Sequence, residues 1–166
     1  MKLLLFGLIL FSAGCGYHFP GQGGSLPGDV ERIHLALFEN ATREPFLENS
    51  LTTTLSDLLS RRSDISLVPL AEAEAELQGR IRSYDSRSIA YAEDDLISQY
   101  RASMVVEVKL IERQTETLLW DGTVRWQTEY DAAADKMLQG DEERQAQEEL
   151  ARRLAEEIYF RLLDEF

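Results

Sequence analysis

The chain has few of the residue types that carry chemistry. It contains one cysteine and two histidines among 166 residues, so it cannot close a disulfide within itself and cannot supply the ligands of a structural zinc site. Basic residues are also scarce: 17 Lys and Arg stand against 30 Asp and Glu, and the formal net charge is −13. This balance argues against a nucleic-acid partner, because such binding depends on clustered Lys and Arg.

The sequence also lacks a pattern for catalysis. His18 lies in a glycine-rich segment, and His34 lies in a predicted strand with no Ser or Cys partner patterned nearby. Glu93, Asp94 and Asp95 could contact calcium, but they lack the alternating spacing of a calcium loop. We therefore predict a protein that is not an enzyme, with no metal site and no cofactor. A hydrolase would need a nucleophile and base that the sequence does not offer.

The first fifteen residues form a separate segment. Lys2 precedes an apolar run from Leu3 to Phe11, which is shorter than the roughly 20 residues that cross a bilayer and is typical of a secretory signal. The small residues Ser12-Ala13-Gly14 and then Cys15 resemble the lipobox of bacterial lipoproteins, in which the peptide is cut before an acylated cysteine. This resemblance implies a signal peptide over 1–14 and lipidation of Cys15. The alternative is an ordinary signal peptide followed by an incidental cysteine.

Residues 15–28 are predicted to be a lipidated N-terminus and flexible linker. Five Gly and two Pro occur between Gly16 and Gly28. Each buried acyl methylene contributes about 0.8 kcal/mol, so several acyl chains would anchor the protein stably. Gly16 after the cysteine, by resemblance to other bacterial lipoproteins, favours sorting to the outer membrane. We expect a lipid-anchored protein on the periplasmic side of that membrane.

Residues 29–166 are predicted to form a single domain that begins with a strand and a helix. In the strand 33–38, Ile33, Leu35 and Leu37 share one face. Residues 39–44 form a turn, and Pro45 begins a helix that continues to Ser60. The apolar stripe of this helix consists of Phe46, Leu47, Leu51, Leu55, Leu58 and Leu59.

Three long segments then alternate with period two, over residues 75–84, 100–111 and 118–130. In the first, Ile81 and Ser83 fall on the apolar face and Arg82 and Tyr84 on the polar face. A charged loop over 87–98 and a hairpin connection over 112–117 join the three strands, and another short strand is possible over 65–70.

Asp141 is expected to cap a final amphipathic helix that ends near Asp164. The expected fold is α+β, with two amphipathic helices packed on one face of a mostly antiparallel four-stranded sheet.

Three short motifs, in order along the chain, resemble the family of lipopolysaccharide-assembly lipoproteins called LptE. They are Cys15-Gly16-Tyr17-His18-Phe19, then Ile33 to Asn40 ahead of Pro45-Phe46-Leu47-Glu48, then Leu77-Gln78-Gly79-Arg80-Ile81. The resemblance implies a domain lodged inside the outer-membrane β-barrel LptD, where it plugs the barrel, aids its assembly and contacts lipopolysaccharide. The alternative is a periplasm-facing lipoprotein that supports envelope structure or a secretion complex and has no glycolipid role.

Contact with lipid A phosphates would favour basic side chains. The cations on the polar faces of the three long strands are Arg80, Arg82, Arg101, Lys109 and Arg125. Because alternate residues share a face, these five could gather into a basic strip. The competing interpretation is that they pair across strands with Glu76, Glu107 and Glu129.

Overall fold

Two helices lie against one side of a six-stranded sheet in the computed structural model, which describes residues 25–91 and 96–164. The strands are β1 (Arg32–Leu35), β2 (Glu39–Asn40), β3 (Ser66–Leu67), β4 (Ala75–Tyr91), β5 (Ile97–Glu112) and β6 (Leu118–Asp131). The helices are α1 (Leu47–Ser60) and α2 (Lys136–Asp164). The predicted signal peptide, Cys15, His18 and the loop carboxylates 93–95 lie outside the described residues.

The sheet is mixed, with the strand order β3-β1-β4-β5-β6 and with β2 also paired to β4. β4, β5 and β6 are antiparallel, whereas β1 is parallel to both β3 and β4. The α+β class and the two helices are confirmed, and the expectation of four mostly antiparallel strands is corrected in detail. The physical reason is that α1 carries the chain back between β1 and β3, so the strands on either side of this crossover run in the same direction.

The strand predicted over 33–38 ends at Leu35, and a second short strand, β2, forms within the predicted turn 39–44. Leu35 is in register with Leu77 and Glu39 with Arg80, so the chain between β1 and β2 contains one residue more than the facing part of β4. The extra residue breaks the alternation expected from the sequence. Leu37, predicted to share the buried face, is 63% exposed, and Phe38 is buried instead with 2% exposure.

Both helices differ from prediction at their first turn. α1 begins at Leu47, two residues after Pro45, and Phe46 is 70% exposed rather than part of the buried stripe. α2 begins five residues before Asp141 because Asp135 is its cap: the Asp135 Oδ1 accepts hydrogen bonds from the backbone N–H groups of Met137 (2.7 Å) and Leu138 (3.4 Å).

The core lies between the helices and the covered face of the sheet. The predicted α2 stripe is buried from Ala146 through Leu150, Leu154 and Ile158 to Leu162. Leu26 and Pro27 are also buried, so packing begins inside the segment expected to be a linker.

The loop expected over 87–98 is shorter, since β4 extends to Tyr91 and β5 starts at Ile97. Within the described ranges, neither helix combines the length and apolarity needed to cross a membrane.

Candidate functional site: the uncovered face of the sheet

The face of β4, β5 and β6 that points away from the helices is uncovered and polar; we call it the outer face. Strand register places the predicted cations on it. Arg80 lies opposite Glu107, Lys109 lies opposite Gln78 and Asp121, and Arg125 lies opposite Val105. The structure therefore brings the predicted residues to one surface, because alternate residues of neighbouring strands share a face.

A β-bulge sets the position of Arg82. Ile81 is in register with Val106 and Ser83 with Val105, so Arg82 is an extra residue in β4. Its guanidinium still lies on the outer face, with Nε 3.5 Å from Glu107 Oε1. Beyond the bulge the alternation is reversed, and Tyr84 lies opposite Met104 on the covered face. The predicted placement of Tyr84 on the polar face is therefore wrong.

Acidic side chains lie beside several of the outer-face cations and pair with them. Arg80 is 3.4 Å from Glu39 Oε1, and Arg101 is 2.7 Å from Glu129 Oε1. With the contact between Arg82 and Glu107, three of the five predicted cations pair with acidic residues. Two of the predicted acidic partners, Glu107 and Glu129, are confirmed. These pairs are exposed and contribute little to stability.

Lys109 and Arg125 differ from the other three cations. Within the part of the chain that the structure describes, neither side chain lies in a salt bridge. Lys109 and Arg80 also line a shallow depression of about 220 Å³, together with Glu39 and Glu107. An ammonium and a guanidinium side by side are suited to an anionic oxygen such as a phosphate oxygen.

His34 does not belong to this candidate site. Its Nδ1 lies 3.1 Å from the backbone oxygen of Val68, in the segment that follows β3. This contact holds the end of the short edge strand β3 against β1.

Sequence reasoning missed a second polar cluster, on the helix side of the sheet. The Tyr84 hydroxyl donates to Glu143 Oε1 (3.1 Å), and Gln147 Nε2 donates to the Tyr84 hydroxyl oxygen (3.3 Å) and to Glu44 Oε1 (3.0 Å). Burial raises the pKa of Tyr84 above its ordinary value, so this hydroxyl stays protonated. The bulge that turns Tyr84 inward leaves no signal in the sequence pattern.

The fold defines a class of small domains in which two helices lie on one face of a mixed sheet. Three solved structures share the fold. A lipoprotein B from Nitrosomonas europaea has a TM-score of 0.60 at 17% identity, over 89% of this chain and 90% of that one. The rare lipoprotein B from Shewanella oneidensis has a TM-score of 0.58 at 12% identity, over 78% and 91%. The PelC dodecamer from Paraburkholderia phytofirmans has a TM-score of 0.57 at 14% identity, over 85% and 95%.

The chain belongs to the LptE, lipopolysaccharide-assembly, family, whose family model matches residues 30–162. This match covers the whole packed domain except its first few residues and the end of α2. No curated protein matches the chain. The family resemblance seen in the short sequence motifs is thereby confirmed.

Proposed function

We propose that this protein is a non-enzymatic outer-membrane lipoprotein, acylated at Cys15 after removal of residues 1–14, that plugs an LptD-type β-barrel and helps it assemble. It takes part in the transport of lipopolysaccharide to the outer leaflet. The observation that carries the proposal is the family match over residues 30–162. The uncovered, polar outer face supports it, because large outer-membrane barrels enclose a polar lumen.

The anchor keeps the domain close to the periplasmic surface of the membrane. Eleven residues lead from Cys15 to Leu26, the first buried residue in the described part of the chain. A chain of that length spans at most about 40 Å. Such a tether raises the effective concentration of the domain at a barrel in the same membrane, so a modest intrinsic affinity suffices for occupancy.

Lipopolysaccharide contact is assigned to the outer face. All five predicted cations, Arg80, Arg82, Arg101, Lys109 and Arg125, lie there. Lys109 and Arg125 are expected to contribute most, since within the described ranges neither side chain lies in a salt bridge with a carboxylate. The acidic neighbours of the other three lower the expected affinity of the face for an anionic glycolipid.

Native extraction tests the barrel partnership. We expect a tagged full-length protein, extracted in mild detergent, to recover a stoichiometric LptD-type barrel from outer membranes. Recovery of the protein alone, or with inner-membrane machinery, would instead favour a lipoprotein that supports envelope structure or a secretion complex.

Charge reversal tests the glycolipid role. The Lys109→Glu, Arg125→Glu double variant should bind vesicles containing phosphorylated lipid A more weakly while still unfolding cooperatively. Its melting temperature should be lowered by a few degrees at most, because the carboxylate introduced by Lys109→Glu would face Asp121. Lys136→Glu, at the exposed start of α2, changes one charge away from the outer face and should bind like the wild type. Equal binding by all three proteins would contradict the assignment of this face.

A further inference from the structure

An exposed aromatic side chain stands at a groove between the two helices. Phe46, Leu47 and Ser50 line the groove from the start of α1, and Gly140, Arg144 and Gln147 line it from α2. The groove encloses about 430 Å³. Met137, also exposed, lies about one helical turn before Gly140 in α2. We call this feature the Phe46 groove.

The backbone holds Phe46 in this position at a conformational cost. Its φ of 68° lies in the left-handed region, which side chains other than glycine disfavour. The preceding turn is tied by hydrogen bonds: Asn40 Nδ2 donates to the backbone oxygen of Glu44 and to Glu48 Oε2, both at 2.7 Å. Phe46 itself gains little burial, since 70% of it is exposed. A strained, exposed aromatic on a rigid turn is a feature of surfaces prepared for a partner.

The charge of the groove indicates which partner fits. Three carboxylates line it, from Glu44, Glu143 and Glu148, and within the described residues none of them lies in a salt bridge. Among the described residues that line the groove the cation is Arg144, whose Nη1 already contacts Asp141 Oδ1 at 2.9 Å. The groove therefore repels an anionic glycolipid and is complementary to an apolar segment that carries Lys or Arg.

We infer that the Phe46 groove docks an apolar, positively charged segment of the protein partner, with the Phe46 ring as its anchor. This inference rests on the proposed function, since the partner is the LptD-type barrel. Together, the two proposals assign two surfaces of the domain to two ligands. The outer face, with its cations, contacts the anionic glycolipid, and the acidic Phe46 groove contacts the polypeptide.

Two variants of the full-length lipoprotein, co-expressed with the LptD-type barrel of the same organism, test the inference. Phe46→Gly removes the ring and suits the left-handed backbone. Gly140→Trp fills the groove from its other wall, where no atom lies within 4 Å of an added Cβ. We expect each variant to bind the barrel about tenfold or more weakly, as for loss of an aromatic anchor. The melting temperature of Phe46→Gly should stay unchanged or rise by a few degrees, because a strained backbone conformation is relieved.

Two control variants separate docking from strain relief and from general loss of aromatic surface. Glu116→Gly relieves a second residue with positive φ, 55°, in the β5–β6 hairpin. Phe160→Ala removes another partly exposed aromatic ring, near the end of α2. Both should recover as much barrel as the wild type.

The outcomes separate this inference from the proposed function. If the wild type recovers no barrel, the proposed function is wrong and the inference fails with it. If the wild type recovers the barrel and both groove variants do so equally well, only the inference is overturned. Wild-type self-association that Phe46→Gly abolishes would assign the groove to a second copy of this chain. Weaker binding of Phe46→Gly to lipid A vesicles would assign it to the glycolipid, and either result would also overturn the inference.

Discussion

Substitution of Gly79 by alanine should destabilise the domain sharply, although it adds only one methyl group. An alanine Cβ at this position would lie 2.3–2.4 Å from three carbons of the Phe38 ring, where ordinary contact begins at 3.4 Å. The ring has little room to retreat because it is buried in the core. The backbone N–H of Phe38 is also fixed, since it donates to Thr52 Oγ1 at 3.1 Å.

The expected cost follows from the two ways in which the clash can be relieved. A strained ring that stays in place costs about 1–3 kcal/mol, as in other overpacked cores. A ring expelled from the core costs about 3–5 kcal/mol, as for removal of a buried Phe. We expect Gly79→Ala to lower the free energy of unfolding by about 2–4 kcal/mol, between these limits.

A double-mutant cycle in urea, monitored by tryptophan fluorescence, measures this clash. In the Phe38→Ala background the ring is absent, so Gly79→Ala should cost less than about 0.5 kcal/mol and the coupling should exceed about 1.5 kcal/mol. Gly140→Ala serves as a control, because its Cβ meets open space in a helix. It should raise stability by about 0.5–1 kcal/mol. Additive effects of the Phe38 and Gly79 substitutions would refute the reasoning.

Three further outcomes are expected. Leu154→Ala or Ile158→Ala, at fully buried positions of α2, should each cost about 2–5 kcal/mol in urea unfolding, and an unchanged midpoint would show that this stripe is not core. Tyr84→Phe should cost about 1–2 kcal/mol, since Glu143 loses its donor and Gln147 an acceptor; equal stability would mean that water replaces the hydroxyl. Backbone N–H groups of Glu31 and Arg32, and then the Arg32 side chain, hold the pKa of Glu74 below its ordinary 4.5. Because the folded-state pKa is the lower one, this stabilisation is present above pH 4.5 and is lost as the pH falls through the folded-state pKa. Melting temperature against pH should therefore be shallower for Glu74→Gln in the acid range, and parallel curves would contradict this role of Glu74.

Part of the candidate site followed from sequence because strands have a fixed period. Arg80, Lys109 and Arg125 reach one face through alternation alone, and pairing along β4, β5 and β6 preserves that face. The Phe46 groove could not be predicted in this way. Its walls come from the starts of α1 and α2, nearly a hundred residues apart in the chain, and helical spacing placed Phe46 in the core.

The misplaced residues share a physical cause. Leu37 lies between β1 and β2, where the chain has one residue more than the facing part of β4, and Tyr84 follows the extra residue Arg82 in β4. One extra residue exchanges the two faces of the chain beyond it. A period-two pattern in the sequence predicts which residues alternate between the two faces. It does not predict where an extra residue is inserted, because that depends on contacts with the neighbouring strand. In the first case the neighbour is Gly79, whose missing side chain leaves space for Phe38.

The amino-acid sequence alone determined the α+β class, the two amphipathic helices, the three long strands and the scarcity of catalytic groups, because these depend on local periodicity and composition. Tertiary structure alone decided the parallel pairing of β1, the irregularities near Leu37 and Arg82, the pairing of Arg82 with Glu107 and the exposure of Phe46. Each of these depends on which distant segment lies alongside, and the free energy of that contact outweighs the local preference of the chain.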